Sequence, residues 1–204
     1  MDAAREPVAE RIASGLAEAG WAQQQGFLSI ELVDSLRARI ECLTLGGVLR
    51  PAAVGAGAER RVRSEVRGDR LAWLDAATPV EQQLLAQLDA LRLDLNRTLT
   101  LGLFDLECHY ASYAPGARYV RHLDRSARGA ERAISVVLYV NSAWHADDGG
   151  ALVLYPDGAP VRVLPTGGTL VAFLSERIEH EVEPARRERL SIAGWFRRRT
   201  HVAS

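Results

Sequence analysis

Apolar positions divide the chain into a first half with helical spacing and a second half with strand-like alternation. Within the N-terminal segment 1–19, residues 4–19 place Ile12, Leu16 and several alanines on a weak stripe, which predicts a helix. Gly20 to Gln25 reads as a short strand, unusual in carrying three glutamines. Ile30, Val33, Leu36, Ile40 and Leu43 then recur at steps of three and four, a stronger helix closed by Gly46-Gly47. Residues 47–65 are rich in glycine, alanine and arginine without periodicity, and Arg67 to Trp73 begins the next ordered element. Long loops of this kind are often functional, and residues 47–70 are assigned as a lid over a substrate. Thr78-Pro79-Val80-Glu81 combines a threonine cap, proline at the first helical position and glutamate at the third. Leu84, Leu88, Leu91 and Leu95 would be the buried face of the helix that follows.

From Glu107 onward eight short segments carry strand texture: 107–114, 118–124, 132–141, 151–155, 160–165, 169–175, 178–183 and 188–197. Helices first and strands afterwards predict an α+β domain, a β-sandwich or barrel backed by helices. At 204 residues, with no internal repeat or linker, residues 1–204 read as one domain. A net charge of −1 gives no electrostatic case for nucleic acid or an anionic membrane, and Arg197-Arg198-Arg199 reads as a solvated terminus. No apolar run approaches the roughly 20 residues that span a bilayer. No cationic segment leads into an apolar one at the start, and two cysteines, Cys42 and Cys108, do not make a disulfide framework. A cytoplasmic protein is expected.

The informative spacing is Arg121-His122-Leu123-Asp124, then His180-Glu181-Val182 58 residues after His122, then Arg189. On a strand, His122 and Asp124 would share a sheet face, because side chains alternate with period two. Two histidines and one carboxylate can cover one face of an iron(II) ion and leave three positions open. Arg189 offers a cationic fork for a carboxylate, although Arg186 and Arg187 compete for that part and Arg189 could equally pair with Glu188 or Glu183. A lone His-x-Asp is a weak signal; the complete set in this order is a strong one. His109, His145 and His201 are assigned no metal. Tyr139 and Trp195 suit strand packing as well as a site, and Arg67-Gly68-Asp69 could be a bare surface turn. As an adhesion triplet it is set aside, since nothing indicates secretion.

Tyr113-Ala114-Pro115-Gly116-Ala117-Arg118-Tyr119-Val120-Arg121-His122-Leu123-Asp124, together with the segment from His180 through Arg189 to Trp195, resembles the prolyl-4-hydroxylase type of iron(II)- and 2-oxoglutarate-dependent dioxygenases. Val66-Arg67-Gly68-Asp69-Arg70-Leu71-Ala72-Trp73 narrows the resemblance to the branch of hypoxia-sensing prolyl hydroxylases and their bacterial relatives. The resemblance implies a double-stranded β-helix, or jelly-roll, core backed by the N-terminal and central helices. It implies Fe(II) held by His122, Asp124 and His180, with 2-oxoglutarate and O2 as co-substrates and ascorbate as a candidate stimulant. Arg189 would take the far carboxylate of 2-oxoglutarate with Tyr139 beside it, and Tyr113 would line the same pocket. Arg67 and Asp69 would help position the lid on a substrate polypeptide. A carboxylate at position 124 favours hydroxylation over halogenation within this superfamily. The implied reaction is hydroxylation of a prolyl residue in a protein, with a translation factor or ribosomal protein as a candidate target. Hydroxylation of a free amino acid or small metabolite, and a low-turnover metal-binding sensor, are the competing readings.

Overall fold

The computed structural model describes residues 7–55, 61–124 and 130–199. Its first half holds three helices, α1 (Val8–Ala19), α2 (Ile30–Leu45) and α3 (Pro79–Leu99), with short strands β1 (Trp21–Gln24), β2 (Arg50–Pro51) and β3 (Asp69–Trp73) between them. Eight strands follow: β4 (Leu103–Tyr113), β5 (Tyr119–His122), β6 (Ala130–Tyr139), β7 (Leu152–Tyr155), β8 (Val161–Val163), β9 (Leu170–Leu174), β10 (Glu179–Val182) and β11 (Arg189–Arg199). They form a seven-stranded sheet, β1-β9-β6-β11-β4-β3-β2, and a four-stranded sheet, β5-β10-β7-β8. Every pairing between them is antiparallel. This is the double-stranded β-helix arrangement with helices on one outer face.

The helices form for the reasons their sequences give. Ser29 caps α2 by accepting from Leu32 N at 3.3 Å, and Thr78 and Glu81 close a reciprocal capping box on α3. The buried face of α3 is Leu84, Leu88, Leu91 and Leu95, as the periodicity predicts. That of α2 differs by one step: Ile30 is 77% exposed, and Leu32 joins Val33, Leu36, Ile40 and Leu43 inside. Ile30 is the first residue after the cap, where the helix has not yet turned onto the sheet. The glutamines of β1 also find a reason, since Gln24 Oε1 accepts from Arg11 Nη2 at 2.8 Å and joins α1 to the sheet edge.

The long loop expected at 47–65 is more structured than its composition implies. Arg50 and Pro51 pair with Leu71 and Arg70, and Val54 bridges Arg61. The end of the segment is laced to β5: Val120 N–H donates to Val66 O and Gly68 N–H to Arg118 O, each at 2.9 Å. Residues 56–60 lie outside the described region, as do residues 1–6, which include positions 4–6 of the expected first helix.

The large sheet is buried on both faces, and period-two alternation assigns each residue to one of them. On β11, Leu190, Ile192 and Phe196 face the helices, while Arg189, Ser191 and Trp195 face a cavity between the sheets. On β4, Cys108 and Tyr110 belong to the helical side, and Glu107, His109, Ala111 and Tyr113 to the cavity.

Helix α3 is fixed to this sheet by a buried carboxylate. Glu81 Oε1 accepts from Arg39 Nε at 2.9 Å and from Tyr110 Oη at 3.1 Å, while Oε2 accepts from Thr78 N at 3.1 Å. Glu81→Ala leaves the guanidinium and the phenol without their acceptor and removes half of the cap. Urea denaturation is expected to show a loss of about 2–3 kcal/mol.

Candidate metal and co-substrate site

Between the two sheets lies a cavity of about 730 Å³. Of the expected site residues, His122, Asp124, His180, Arg189, Tyr113, Arg67 and Asp69 line it; Tyr139 packs immediately behind Arg189.

His122 and His180 face one another across the antiparallel pair β5–β10, with ring centroids 4.2 Å apart. Each imidazole is oriented by the backbone of its own strand. His122 Nδ1 lies 2.8 Å from Val120 O, and His180 Nδ1 lies 3.3 Å from Ile178 O. A carbonyl only accepts, so Nδ1 carries the proton in both rings and Nε2 is left with its lone pair toward the cavity. Tyr119 stacks on His122 at 3.6 Å, and Phe173 tilts against His180 at 4.6 Å.

Asp124 does not sit on the strand as the spacing predicts. β5 ends at His122, and the aspartate occupies the loop beyond it. Its carboxylate still reaches both rings, with His122 Nε2 3.6 Å from Oδ1 and His180 Nε2 3.7 Å from Oδ2. One ligand atom from each of the three residues lies within 4.8 Å of the others, a set that can close on a single ion. Burial works to raise the Asp124 pKa, but His180, His122 and the Trp195 N–H outweigh it and hold the carboxyl well below its usual range. Burial lowers the His180 pKa to about 4, with Asp124 opposing, so the ring is neutral at pH 7. The ionised Asp124 and the neutral His180 are in the protonation states a divalent metal requires of such ligands.

Deeper in the cavity, Arg189 is 1% exposed. Its Nε donates to Gly150 O at 2.9 Å and its Nη1 to Ser191 Oγ at 3.2 Å, but Nη2 has no partner. The backbone approach that permits this needs glycine: Gly150 has φ +69°, and a Cβ there would stand 2.8 Å from Ala185 Cβ and 3.3 Å from Arg189 Cδ. Among the described residues no carboxylate pairs with Arg189; Glu188 is engaged with Ser112, and Glu183 with Arg162. Arg186 is exposed, and Arg187 is bound to Ser142 O, Ala143 O and Asp148. The Arg189 guanidinium lies 5.2 Å from the Tyr113 ring and 5.1 Å from the Tyr139 ring. The Tyr139 hydroxyl is buried without a partner, and burial, partly offset by Arg189, pushes its pKa up to about 12. A buried cation with a spare N–H beside a spare phenol O–H has the donor set that fits a carboxylate.

Arg67 and Asp69 are turned inward. Arg67 Nε and Nη2 donate to the two oxygens of the buried Asp69 at 2.7 and 2.9 Å, and the guanidinium lies over Tyr119 at 4.8 Å. His109, which the sequence assigned to nothing, completes this wall between Trp73 and Trp195, at centroid distances of 5.1 and 5.5 Å. Ser135 and Ser175 were also missed. The available signal was a hydroxyl within or at the end of an apolar strand run, Ala133-Ile134-Ser135-Val136-Val137 and Val171-Ala172-Phe173-Leu174-Ser175.

Similarity to known proteins agrees with this geometry. A sequence family described as the 2OG-Fe(II) oxygenase superfamily matches residues 108–197. The crystal structure of a Pseudomonas putida prolyl-4-hydroxylase is 46% identical, with a TM-score of 0.87 over 94% of this chain and 100% of that one. A Trichoplax adhaerens prolyl hydroxylase, solved with a hypoxia inducible factor peptide fragment, is 27% identical with a TM-score of 0.84 over 92% and 88% of the two chains. The Caenorhabditis elegans hypoxia-inducible factor prolyl hydroxylase is 29% identical over 93% of this chain but only 28% of its own length, so the chain spans under a third of that relative.

Burial, with Arg67 adding to it, lowers the His109 pKa to about 4 from the ordinary 6.5. A depressed folded-state pKa means that the unfolded chain binds the proton more readily, so this contribution is complete above pH 6.5 and is lost as pH falls toward 4. His109→Phe is expected to flatten that slope in metal-free protein. The pH-dependent difference from wild type across this window should be on the order of 3 kcal/mol, read from denaturant midpoints at pH 7 and 4.5.

Proposed function

The chain belongs to the 2OG-Fe(II) oxygenase superfamily, and from that footing we propose that it hydroxylates a prolyl residue in a protein substrate, forming succinate and CO2. The observation that carries the proposal is the pairing, in one cavity, of a two-histidine, one-carboxylate face with a buried guanidinium that no carboxylate among the described residues neutralises. Bound Fe(II) with 2-oxoglutarate and O2 would supply the oxidising chemistry, decarboxylating the co-substrate and delivering one oxygen atom to a substrate C–H bond.

The chain's residues divide the remaining work. His122, Asp124 and His180 would hold the metal, a ligand set suited to Fe(II) oxygen chemistry. Arg189 Nη2 and the Tyr139 hydroxyl bind the far carboxylate of 2-oxoglutarate, and Tyr113 closes the pocket around its chain. The side walls exclude water: Tyr119 and Phe173 pack against the two imidazoles. Residues 47–70 act as the lid over a polypeptide, with the Arg67–Asp69 pair holding its base against Tyr119. The half-exposed Trp73 extends the cavity wall outward, where the chain on either side of a target proline would lie. No described helix is long and apolar enough to cross a membrane. A cytoplasmic translation factor or ribosomal protein is the partner that the branch resemblance favours.

Purified protein with Fe(II), 2-oxoglutarate and a proteome-derived peptide library is expected to add one oxygen atom to proline-containing peptides, detected by mass. Efficient turnover of free proline with no polypeptide modified would replace this reading with a small-molecule hydroxylase. Arg67→Ala is expected to slow polypeptide hydroxylation more than the uncoupled decarboxylation of 2-oxoglutarate, because a lid orders substrate and contributes little to metal coordination. Arg189→Ala is expected to weaken 2-oxoglutarate binding to the Mn(II) protein by about 2–5 kcal/mol while Mn(II) still binds. Calorimetric titration checks this, and an unchanged dissociation constant would remove Arg189 from the site.

A further inference from the structure

The metal face depends on a carboxylate that its own strand does not hold. Asp124 lies past the end of β5, in the small sheet's half of the molecule, yet among the described residues the hydrogen bonds that hold its carboxylate come from the large sheet. Trp195 Nε1 on β11 and Ser135 Oγ on β6 each donate to Asp124 Oδ2 at 2.8 Å. Ser135 has one hydroxyl proton, and Asp124 receives it. The 2.9 Å contact between Ser135 Oγ and Ser175 Oγ is therefore donated by Ser175. Ser175, at the end of β9, is 0% exposed, and Ser135 is 1% exposed. Two hydroxyls among apolar neighbours are poor core residues unless their directed bonds serve something.

We propose that Ser175 and Ser135 are positioning residues of the metal centre, a two-hydroxyl relay that orients Asp124 toward His122 and His180. The inference rests on the iron reading of the cavity. The bond to the carboxylate is charge-assisted, and the bond from Ser175 polarises the Ser135 O–H, strengthening it further. Groups that orient a metal ligand in this way typically change metal affinity by 10- to 100-fold when removed. If the two serines merely satisfied one another in the core, replacing either would leave the affinity alone.

Mn(II) titration of the purified protein, following the free ion by electron paramagnetic resonance, reads the relay without any substrate. Ser135→Ala is expected to weaken Mn(II) binding by about 10- to 100-fold, and Ser135→Thr, which keeps the hydroxyl, to restore it. Ser175→Ala is expected to give a smaller loss. The Ser135→Ala/Ser175→Ala double variant should bind no more weakly than Ser135→Ala, because Ser175 acts through Ser135. Circular dichroism and thermal melting confirm that each variant is folded. Ser175→Ala, which does not touch Asp124, carries the test alone if Ser135→Ala does not fold. A folded Ser135→Ala protein, or failing that Ser175→Ala, with Mn(II) affinity unchanged from wild type overturns the relay, as do equal losses from Ser175→Ala in both backgrounds. Failure of the wild-type protein to bind Mn(II) would instead strike the iron reading itself, and the relay with it.

Discussion

From Arg189 to Phe196 strand β11 lies between the helices and the cavity, so each side chain there must suit one of two incompatible environments. Alternation delivers Leu190, Ile192 and Phe196 to the helices and Arg189, Ser191 and Trp195 to the cavity. A slip of one residue would drive a guanidinium into the leucines of α3 and bring Phe196 to the metal face, so the register cannot drift. It is also pinned locally. Asn141 Nδ2 donates to Leu190 O at 3.0 Å, and its Oδ1 accepts from Leu190 N at 2.7 Å, gripping both backbone groups of the residue after Arg189. The chemistry of the cavity therefore rests on a packing constraint set on the opposite side of the sheet.

Charge inside the cavity is of two kinds. Arg67 pairs with Asp69, Arg132 with Glu107 and Arg197 with Asp105 and Glu107, so these walls are neutralised by the protein itself. Arg189 is not. Burial keeps His109 and His180 neutral, so they add no positive charge at pH 7. Among the described residues the cavity thus holds a deep, uncompensated cation, Arg189, and an acidic metal-binding cluster. A divalent metal ion held by that cluster would reverse its charge, and a small dicarboxylate could then bridge the two.

Much of this was legible in the sequence where local spacing carries the information. The capping box at Thr78, the leucine face of α3 and the eight strands after residue 100 follow from short-range pattern, whereas the pair His122 and His180, 58 residues apart, was legible through the complete motif and the family resemblance it carries. Asp124 was identified as a ligand but misplaced, because a two-residue spacing does not say where a strand ends. Ile30 was placed in the buried stripe for a related reason: periodicity cannot see how the first turn of a helix meets its sheet. The order at both ends of residues 47–65 depends on pairing with Leu71, Arg70 and β5, which composition does not encode. His109, Ser135 and Ser175 could not be grouped from the sequence, since each acquires meaning from a contact that strand pairing creates, such as Ser135 with Asp124 or Ser175 with Ser135.

The orphaned Arg189 Nη2 and Tyr139 hydroxyl also bear on how the chain persists in a cell. Both are buried, and among the described residues neither finds a hydrogen-bond partner. A dicarboxylate seated there binds the native state and not the unfolded one. At 100 times its dissociation constant it adds about 2.7 kcal/mol to folding. Lifetime against proteolysis would then follow metabolite supply: a cell short of the dicarboxylate would lose the protein itself, as well as its turnover.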